Sequence, residues 1–359
     1  MGAGGQKAVS GIRLVSENLV LLVVLFVLLT ISAGMGYLDI PAGDVLRIIL
    51  DMAAEPVWGP GRVLSAGIDE VTWAVVADVR LPRILSAAMV GAGLSLSGAV
   101  YQGILLNPLA DPFTLGISAG AAFGASVAIL FFPSLSLYSL PAFAFAGAAL
   151  TLLAVILLSS DRVFAPDGLS SGSLILSGII VSSILSAGIS FLKYWADEQV
   201  SIIIFWLMGS FSSKTWLDAG IVTAAMLGGF GIIYFFARDL NLISQGDRMA
   251  ASLGVDTRRV TLRLLLAASF VTAVCVSVSG IIGFVGLLVP HMARAVAGPD
   301  NRRLLPLCCL GGAILLLGAD TVTRAVLPVE IPIGVLTALI GGPAFCAVFR
   351  KTRTKGRRA

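Results

Sequence analysis

Between Phe113 and Ser160 the chain runs for 48 residues without a single Asp, Glu, Lys or Arg. No soluble fold has an interior that could hide such a stretch together with the others like it, so its surroundings must themselves be apolar. A helix needs roughly 20 apolar residues to cross the hydrocarbon core of a bilayer. The stretch is too long for one crossing and suits two, with Pro133 and Pro141 bracketing the expected turn. The whole chain has the same character. Of its 359 residues 57% are hydrophobic and 12% charged, about half the charge of a soluble domain. Disorder, a secreted disulfide scaffold and a soluble nucleic-acid binder are thereby excluded. The net charge of +4 sits beside the apolar stretches and is no nucleic-acid signal.

Further charge-free stretches are Leu19–Leu38, Ile84–Ala110, Gly168–Leu192, Ala219–Ala237, Leu264–Pro290, Leu304–Ala319 and Ile331–Phe349. Lys7 and Arg13 precede the first stretch, and Arg350, Lys351, Arg353, Lys355, Arg357 and Arg358 follow the last. Both ends read as cytoplasmic by the positive-inside rule, which demands an even number of crossings. The breaker SGIIGFVG (Ser279–Gly286) splits its stretch into spans near Leu264–Ser279 and Gly283–Val296, giving ten. That topology puts 17 Lys and Arg inside and seven outside (Arg47, Arg62, Arg80, Arg83, Lys193, Lys214, Arg324). The first apolar run is too long for a cleaved signal. The expected organisation is an all-α membrane protein. A cytoplasmic segment (1–18) precedes one ten-span domain (19–349), and a basic cytoplasmic tail (350–359) follows. Residues 39–80 form a long outer loop with Trp58 and Trp73 as interface anchors. Ser201–Phe211 is apolar but short, and reads as a half-inserted outer helix.

The chemistry of catalysis is missing. There is no phosphate-binding G-x-x-x-x-G-K-[ST] motif, no nucleophile–base pair, and one histidine, His291, too few for a histidine metal cage or a bis-histidine haem site. His291 reads as a structural hydrogen-bonding residue. Cys275, Cys308, Cys309 and Cys346 lie inside spans without C-x-x-C spacing and read as buried small hydrophobes. Asp320 is the clearest deep acid, and Arg324 lies one turn later, placed to pair with it.

Four motifs stand out. Gly116, Gly120 and Gly124 recur every fourth residue, a ridge for close helix packing. Arg80-Leu-Pro-Arg83 opens the second span at its outer end, either as snorkelling anchors or as cations offered to an acidic partner. Asn107-Pro-Leu-Ala-Asp-Pro112 makes a tight inner turn in which Asn and Asp supply local hydrogen bonds. The longest inner loop, 239–259, holds two short amphipathic stretches broken at Gly246 and Gly254. It could lie on lipid, but is better suited to a groove on another protein.

These motifs, RLPR (80–83), GAGLSLSGAVYQGILLNPLADPFTLGISAGA (91–121), ASLGV (251–255), GFVGLLVPHMAR (283–294), the Asp320/Arg324 pair and EIPIGVLTALIGGP (330–343), occur in the order seen in a known family. Over nearly its full length the chain resembles the FecCD-like permeases of ABC importers for iron–siderophores, cobalamin and haem. The resemblance implies a homodimeric type II importer permease in the bacterial cytoplasmic (inner) membrane. It implies two copies of a separate ABC ATPase that binds ATP and Mg, and a periplasmic or lipoprotein substrate-binding protein. This chain itself would hold no cofactor or metal, bind no nucleic acid and perform no catalysis. By matching position, Arg80, Arg83 and Arg324 correspond to binding-protein docking residues. Asn107, Leu109, Ser171 and Gly172 correspond to the inner gate. Gly246, Ala250, Leu253 and Gly254 correspond to the ATPase-coupling loop. Ferric siderophore is the first expected cargo, with cobalamin and haem as alternatives. The competing class is an ion-coupled carrier that works without an ATPase and uses Asp320.

Overall fold

The computed structural model describes residues 3–36, 38–58, 63–133, 136–160, 170–327 and 329–356, all of them helix or connecting segment. A long first helix, α1 (Ala3–Gly34), leads into an outer layer of α2 (Ala42–Trp58) and α3 (Glu70–Ala74). A π-helical segment, Val75–Arg80, runs without interruption into α4 (Leu81–Ile104). Then come α5 (Ile117–Phe131), α6 (Ser136–Ser159), α7 (Ser171–Trp195), the short α8 (Val200–Leu207) and α9 (Trp216–Phe235). An inner hairpin, α10 (Ala237–Ile243) and α11 (Asp247–Ser252), precedes α12 (Thr257–Ser279), α13 (Val285–Ala297) and α14 (Asn301–Thr321). A second π-helical segment, Val322–Val326, and α15 (Ile333–Gly356) complete the chain. Among the described residues seven helices are long and apolar enough to cross a bilayer. Three shorter apolar helices, Ile117–Phe131, Val285–Ala297 and Ile333–Ala347, fall where the sequence leads one to expect the other crossings.

α4 is the central post. Nearly all its residues are buried, and α14, α12, α9 and α13 pack around it. Lipid offers no hydrophobic reward for helix contact, so small residues must let the backbones touch. A Cβ on Gly91 would collide with the carbonyl of Gly312 on α14, and one on Gly98 with the carbonyl of Gly286 on α13. Tyr101 Oη and Ser269 Oγ share a 2.6 Å hydrogen bond, and Ser97 Oγ donates to the Ala268 carbonyl at 3.0 Å, tying α4 to α12. Such bonds are each worth only about 0.6 kcal/mol in a bilayer, so close packing must supply most of the association. The outer ring of helices leaves its apolar side chains exposed, among them Leu19, Val23 and Phe26 on α1 and Ile184 and Phe191 on α7. This is the surface that lipid would cover.

The glycine ridge is partly as expected. Gly120 and Gly124 on α5 meet the backbone of α6 at Gly147 and Phe143. Gly116 is not on the helix: it caps α5 with φ 78° and faces α7. Pro141 lies inside α6 rather than at the turn; its fixed φ of about −65° fits the helix although it cannot donate to the preceding turn. The outer loop is also mostly helix. Val45 and Ile48 turn inward beneath α2. The Asp51 carboxylate accepts from the amides of Leu64 and Ser65 and from Ser65 Oγ. Trp73 packs on that small apolar cluster, and the Trp58 side chain lies outside the described residues.

The breaker behaves as expected. α12 stops at Gly280, with φ 73°, and α13 starts after Phe284, with φ 68°. α13 has 13 residues, about 20 Å of helix, short of the roughly 30 Å core. Irregular backbone at this depth must find internal partners. Near the end of α12, Ser210 N donates to the Ser279 carbonyl at 2.8 Å, and Gly334 N donates to the Met208 carbonyl at 3.0 Å. The short apolar α8 thus ends in a junction with α12 and α15.

Candidate functional site

At the outer end, the three arginines of the sequence reading are turned inward. Arg83 is 9% and Arg80 5% exposed. Arg83 Nε and Nη2 grip the fully buried Asp320 carboxylate at 2.9–3.2 Å, and Nη2 reaches Glu330 Oε1 at 2.5 Å. Glu330 also accepts from Ser212 Oγ at 3.1 Å, so one carboxylate links α4, the segment after α8 and the approach to α15. Burial by itself would raise the Glu330 carboxyl, but the Arg83 hydrogen bond and charge hold it below the ordinary range.

Arg80 and Arg324 serve a different structure. Arg80 Nη1 donates to the Ala33 and Gly34 carbonyls at 2.6 and 3.0 Å, and its Nη2 to the Leu38 carbonyl. Arg324 donates to the Met35 and Ser32 carbonyls, both at 2.6 Å. These carbonyls cluster at the end of α1, where the last turn has no intrahelical partners and the helix dipole is negative. Two expectations are corrected here. The arginines do not stand free on the outer surface. And Asp320 pairs with Arg83 rather than Arg324, because Arg324 lies in the π-helical segment Val322–Val326, whose wider turn breaks the i,i+4 register.

At the inner end of α4, Leu106 takes a left-handed φ of 51°, a strained conformation of the kind that gathers at functional sites. Asn107 Oδ1 then accepts from Leu109 N at 2.9 Å, and Asp111 Oδ1 from Phe113 N at 3.0 Å. Both are the local bonds expected of that turn. Leu109 is exposed. Ser171, at the start of α7, donates from Oγ to the Ile104 carbonyl at 3.2 Å. The two expected gate elements, some 60 residues apart in sequence, are therefore adjacent. A Cβ on Gly172 would meet only Ser170 Oγ, at 3.8 Å.

The inner hairpin has two faces. Leu240, Ile243 and Ala250 are buried against the bundle, while Met249 and Leu253 are more than half exposed. Gly246 (φ 114°) and Gly254 (φ 87°) make its turns and have nothing near them. Of the four expected coupling residues, Ala250 is a core residue and the other three lie at the surface.

A brace that the sequence reading missed fixes this hairpin. Asn241 Nδ2 donates to Asp300 Oδ1 at 2.8 Å, and Asn241 Oδ1 accepts from Asn301 N and Nδ2 at 2.7 and 2.8 Å. Asp300 also takes Arg302 through both its oxygens. The Arg302 hydrogen bond is the largest cause that lowers the Asp300 carboxyl to about 2. Asp-Asn at a helix start is a visible capping signal; the contact with Asn241, about 60 residues earlier, leaves none. Arg303 pairs with Glu17 of α1 at 2.9 Å. His291 is edge-on to Phe345, and the expected side-chain hydrogen bond does not form among the described residues. Cys275, Cys308 and Cys309 are buried as expected, but Cys346 is exposed.

Comparison with known proteins converges on one answer. The model of the FecCD transport family matches residues 22–351. The chain belongs to this family. It is 41% identical over 287 residues to the cobalamin import system permease protein of Halobacterium salinarum, covering 80% of this chain and 76% of the relative. It is 38% identical over 328 residues to the Fe(3+)-citrate import system permease protein of Bacillus subtilis, covering 91% and 92%. Among solved structures, an inward-facing metal-chelate type ABC transporter superposes with a TM-score of 0.80 at 35% identity, covering 94% of this chain and 99% of that one. FecCD membership and the apolar helices make this a multi-pass membrane protein of the ABC permease type.

Proposed function

We propose that this chain is the permease subunit of an ATP-driven, binding-protein-dependent importer of the bacterial inner membrane. It works as a homodimer of ten-span protomers with both ends in the cytoplasm. The observation that carries this reading is the inner hairpin. A pair of short helices presents Met249 and Leu253 to solvent while Asn241 and Asp300 brace it to the bundle. An exposed apolar tip on a rigid mount suits a groove on a partner, here a separate ATPase present in two copies. Closure of the ATPase pair would push the hairpin as a lever, and the brace would pass that push to the turn between α13 and α14.

On the outer side, a substrate-binding protein docks over this cluster, where Glu330 is the solvent-facing member; an acidic side chain of that partner reaches Arg83 only by displacing Glu330 from it. Arg80 and Arg324 are assigned to holding the turn after α1 in place around it. Asn107, Leu109, Ser171 and Gly172 form the inner gate. The cargo is a metal chelate, with ferric siderophore first and cobalamin or haem as the alternatives. Relatives named for cobalamin and for ferric citrate import support that class.

The test is transport in proteoliposomes with and without a co-purified ATPase. Uptake that requires the ATPase and ATP supports the reading, and Leu253→Asp should abolish ATPase binding while the bundle stays folded. Uptake by the chain alone, driven by an ion gradient, sinks it in favour of a secondary carrier.

A further inference from the structure

A cavity of about 270 Å³ opens between the inner end of α4, the end of α10 and the turn between α13 and α14. Its polar lining comes from Gln102, Asn107, Ser244, Arg294 and Asn301, and the strained Leu106 forms part of its rim. Arg294 is only partly exposed. Its guanidinium makes one side-chain hydrogen bond among the described residues, from Nη1 to the neutral Oε1 of Gln102 at 2.8 Å. No ion pair to Arg294 forms among those residues. The carboxylate on the same turn, Asp300, is already committed to Arg302, Asn241 and the backbone amide of Arg302.

A half-buried cation without an anion is costly unless something supplies the charge. Arg80, Arg83, Arg303 and Arg324, also shielded from solvent, have found carboxylates or clustered carbonyls, as Arg303 does with Glu17 and Arg80 with the end of α1. The Arg294 fork keeps donors unused, and the Asn107 side-chain amide has no acceptor among the described residues. A planar guanidinium beside amide donors in a small cavity suits an oxyanion. The cavity lies at the end of the bundle where α12 and α14 begin with Arg258, Arg259, Arg263, Arg302 and Arg303, and basic pockets between helices on the cytoplasmic side suit anionic headgroups.

We infer that this cavity is an oxyanion site for a phosphate group, held by Arg294 and Asn107. The group can come from an anionic phospholipid headgroup or from free phosphate; the recognising chemistry is the same. Bound there, it would join the gate turn to the α13–α14 turn, two segments that share no direct side-chain hydrogen bond among the described residues. The inference does not depend on the cargo or on the ATPase.

Arginine-directed labelling of the wild-type full chain tests it without a mutant. The delipidated protein in detergent is treated with phenylglyoxal in HEPES buffer, and modification is mapped by peptide mass spectrometry. We expect millimolar inorganic phosphate to slow modification of Arg294 several-fold, chloride at equal ionic strength to leave it unchanged, and the more exposed Arg302 to react alike in both. Protection absent with free phosphate but present in nanodiscs containing phosphatidylglycerol, and not in phosphatidylcholine alone, supports the site and assigns the lipid as its source. Equal labelling of Arg294 under all these conditions overturns the inference, as does protection that appears only when an ATPase subunit is bound, which would make Arg294 a protein contact. Arg294→Lys should keep a smaller phosphate-dependent rise in Tm and Arg294→Gln should lose it. A rise of the same size in Arg294→Gln also overturns the assignment.

Discussion

The two ends of the molecule use charge in opposite ways. At the outer end, Arg80, Arg83 and Arg324 are folded into the protein and spent on carbonyls and carboxylates. At the inner end, charge braces a small hairpin from behind, and the hairpin's apolar tip stays uncovered. The first arrangement holds irregular backbone together where helices end at different depths. The second keeps a surface available. The lesson is that an arginine cluster near a membrane boundary is not automatically a display, and that an exposed Met and Leu on six-residue α11 and its turn are the more telling sign of a partner.

The sharpest way to break the contrast is to remove one partner of the buried outer pair. Arg83→Ala leaves Asp320 buried without a cation, a loss of about 3–5 kcal/mol. We expect a lower melting temperature in detergent and poor yield; a fold as stable as the parent would mean that water reaches Asp320. Next in size is the inner brace. Asp300→Asn removes charge-assisted bonds to Arg302 and one to Asn241, about 1–2 kcal/mol. Hydrogen exchange should rise in residues 237–255 before it rises in the central helices.

The same brace predicts a pH dependence. The Asp300 carboxyl lies at about 2 in the folded chain against an ordinary 3.8. Its stabilising contribution is therefore complete above the ordinary value and is lost as pH falls from about 4 towards 2. Exchange in the hairpin should follow that window in the parent and not in Asp300→Asn.

A smaller effect is expected from Glu330→Gln, because Glu330 is the exposed member of the outer cluster. About 1 kcal/mol or less should be lost, and a melting curve close to the parent's would separate Glu330 from Asp320. The smallest effect on the fold is expected from Leu253→Asp, which alters an exposed tip. Its melting curve should match the parent's, and any marked destabilisation would show that the hairpin tip packs inward.

Much of this was legible along the chain. Among the described residues the charge-free stretches located the seven long apolar helices and the three shorter ones, and the glycine-rich SGIIGFVG run marked the break between α12 and α13. Asn107 and Asp111 made the local bonds that their turn chemistry predicts. The helical character of residues 42–58 was harder to see, since a short amphipathic helix covering a loop is masked by the longer signals beside it. That Ala250 faces the bundle was not legible, because a six-residue helix is too short for its pattern to say which side is covered.

Sequence alone determined the class of solvent, where the long apolar helices run and which stretches are rich in small residues, because hydropathy and residue size act locally and survive any rearrangement of partners. Tertiary structure alone decided who pairs with whom. Asp320 chose Arg83 over the nearer Arg324 because a π-helical segment shifted the register by a fraction of a turn, and Asn241 found Asp300 because two helix ends meet in space. Such choices depend on the relative phase and depth of helices far apart in the chain, which no residue's own chemistry encodes.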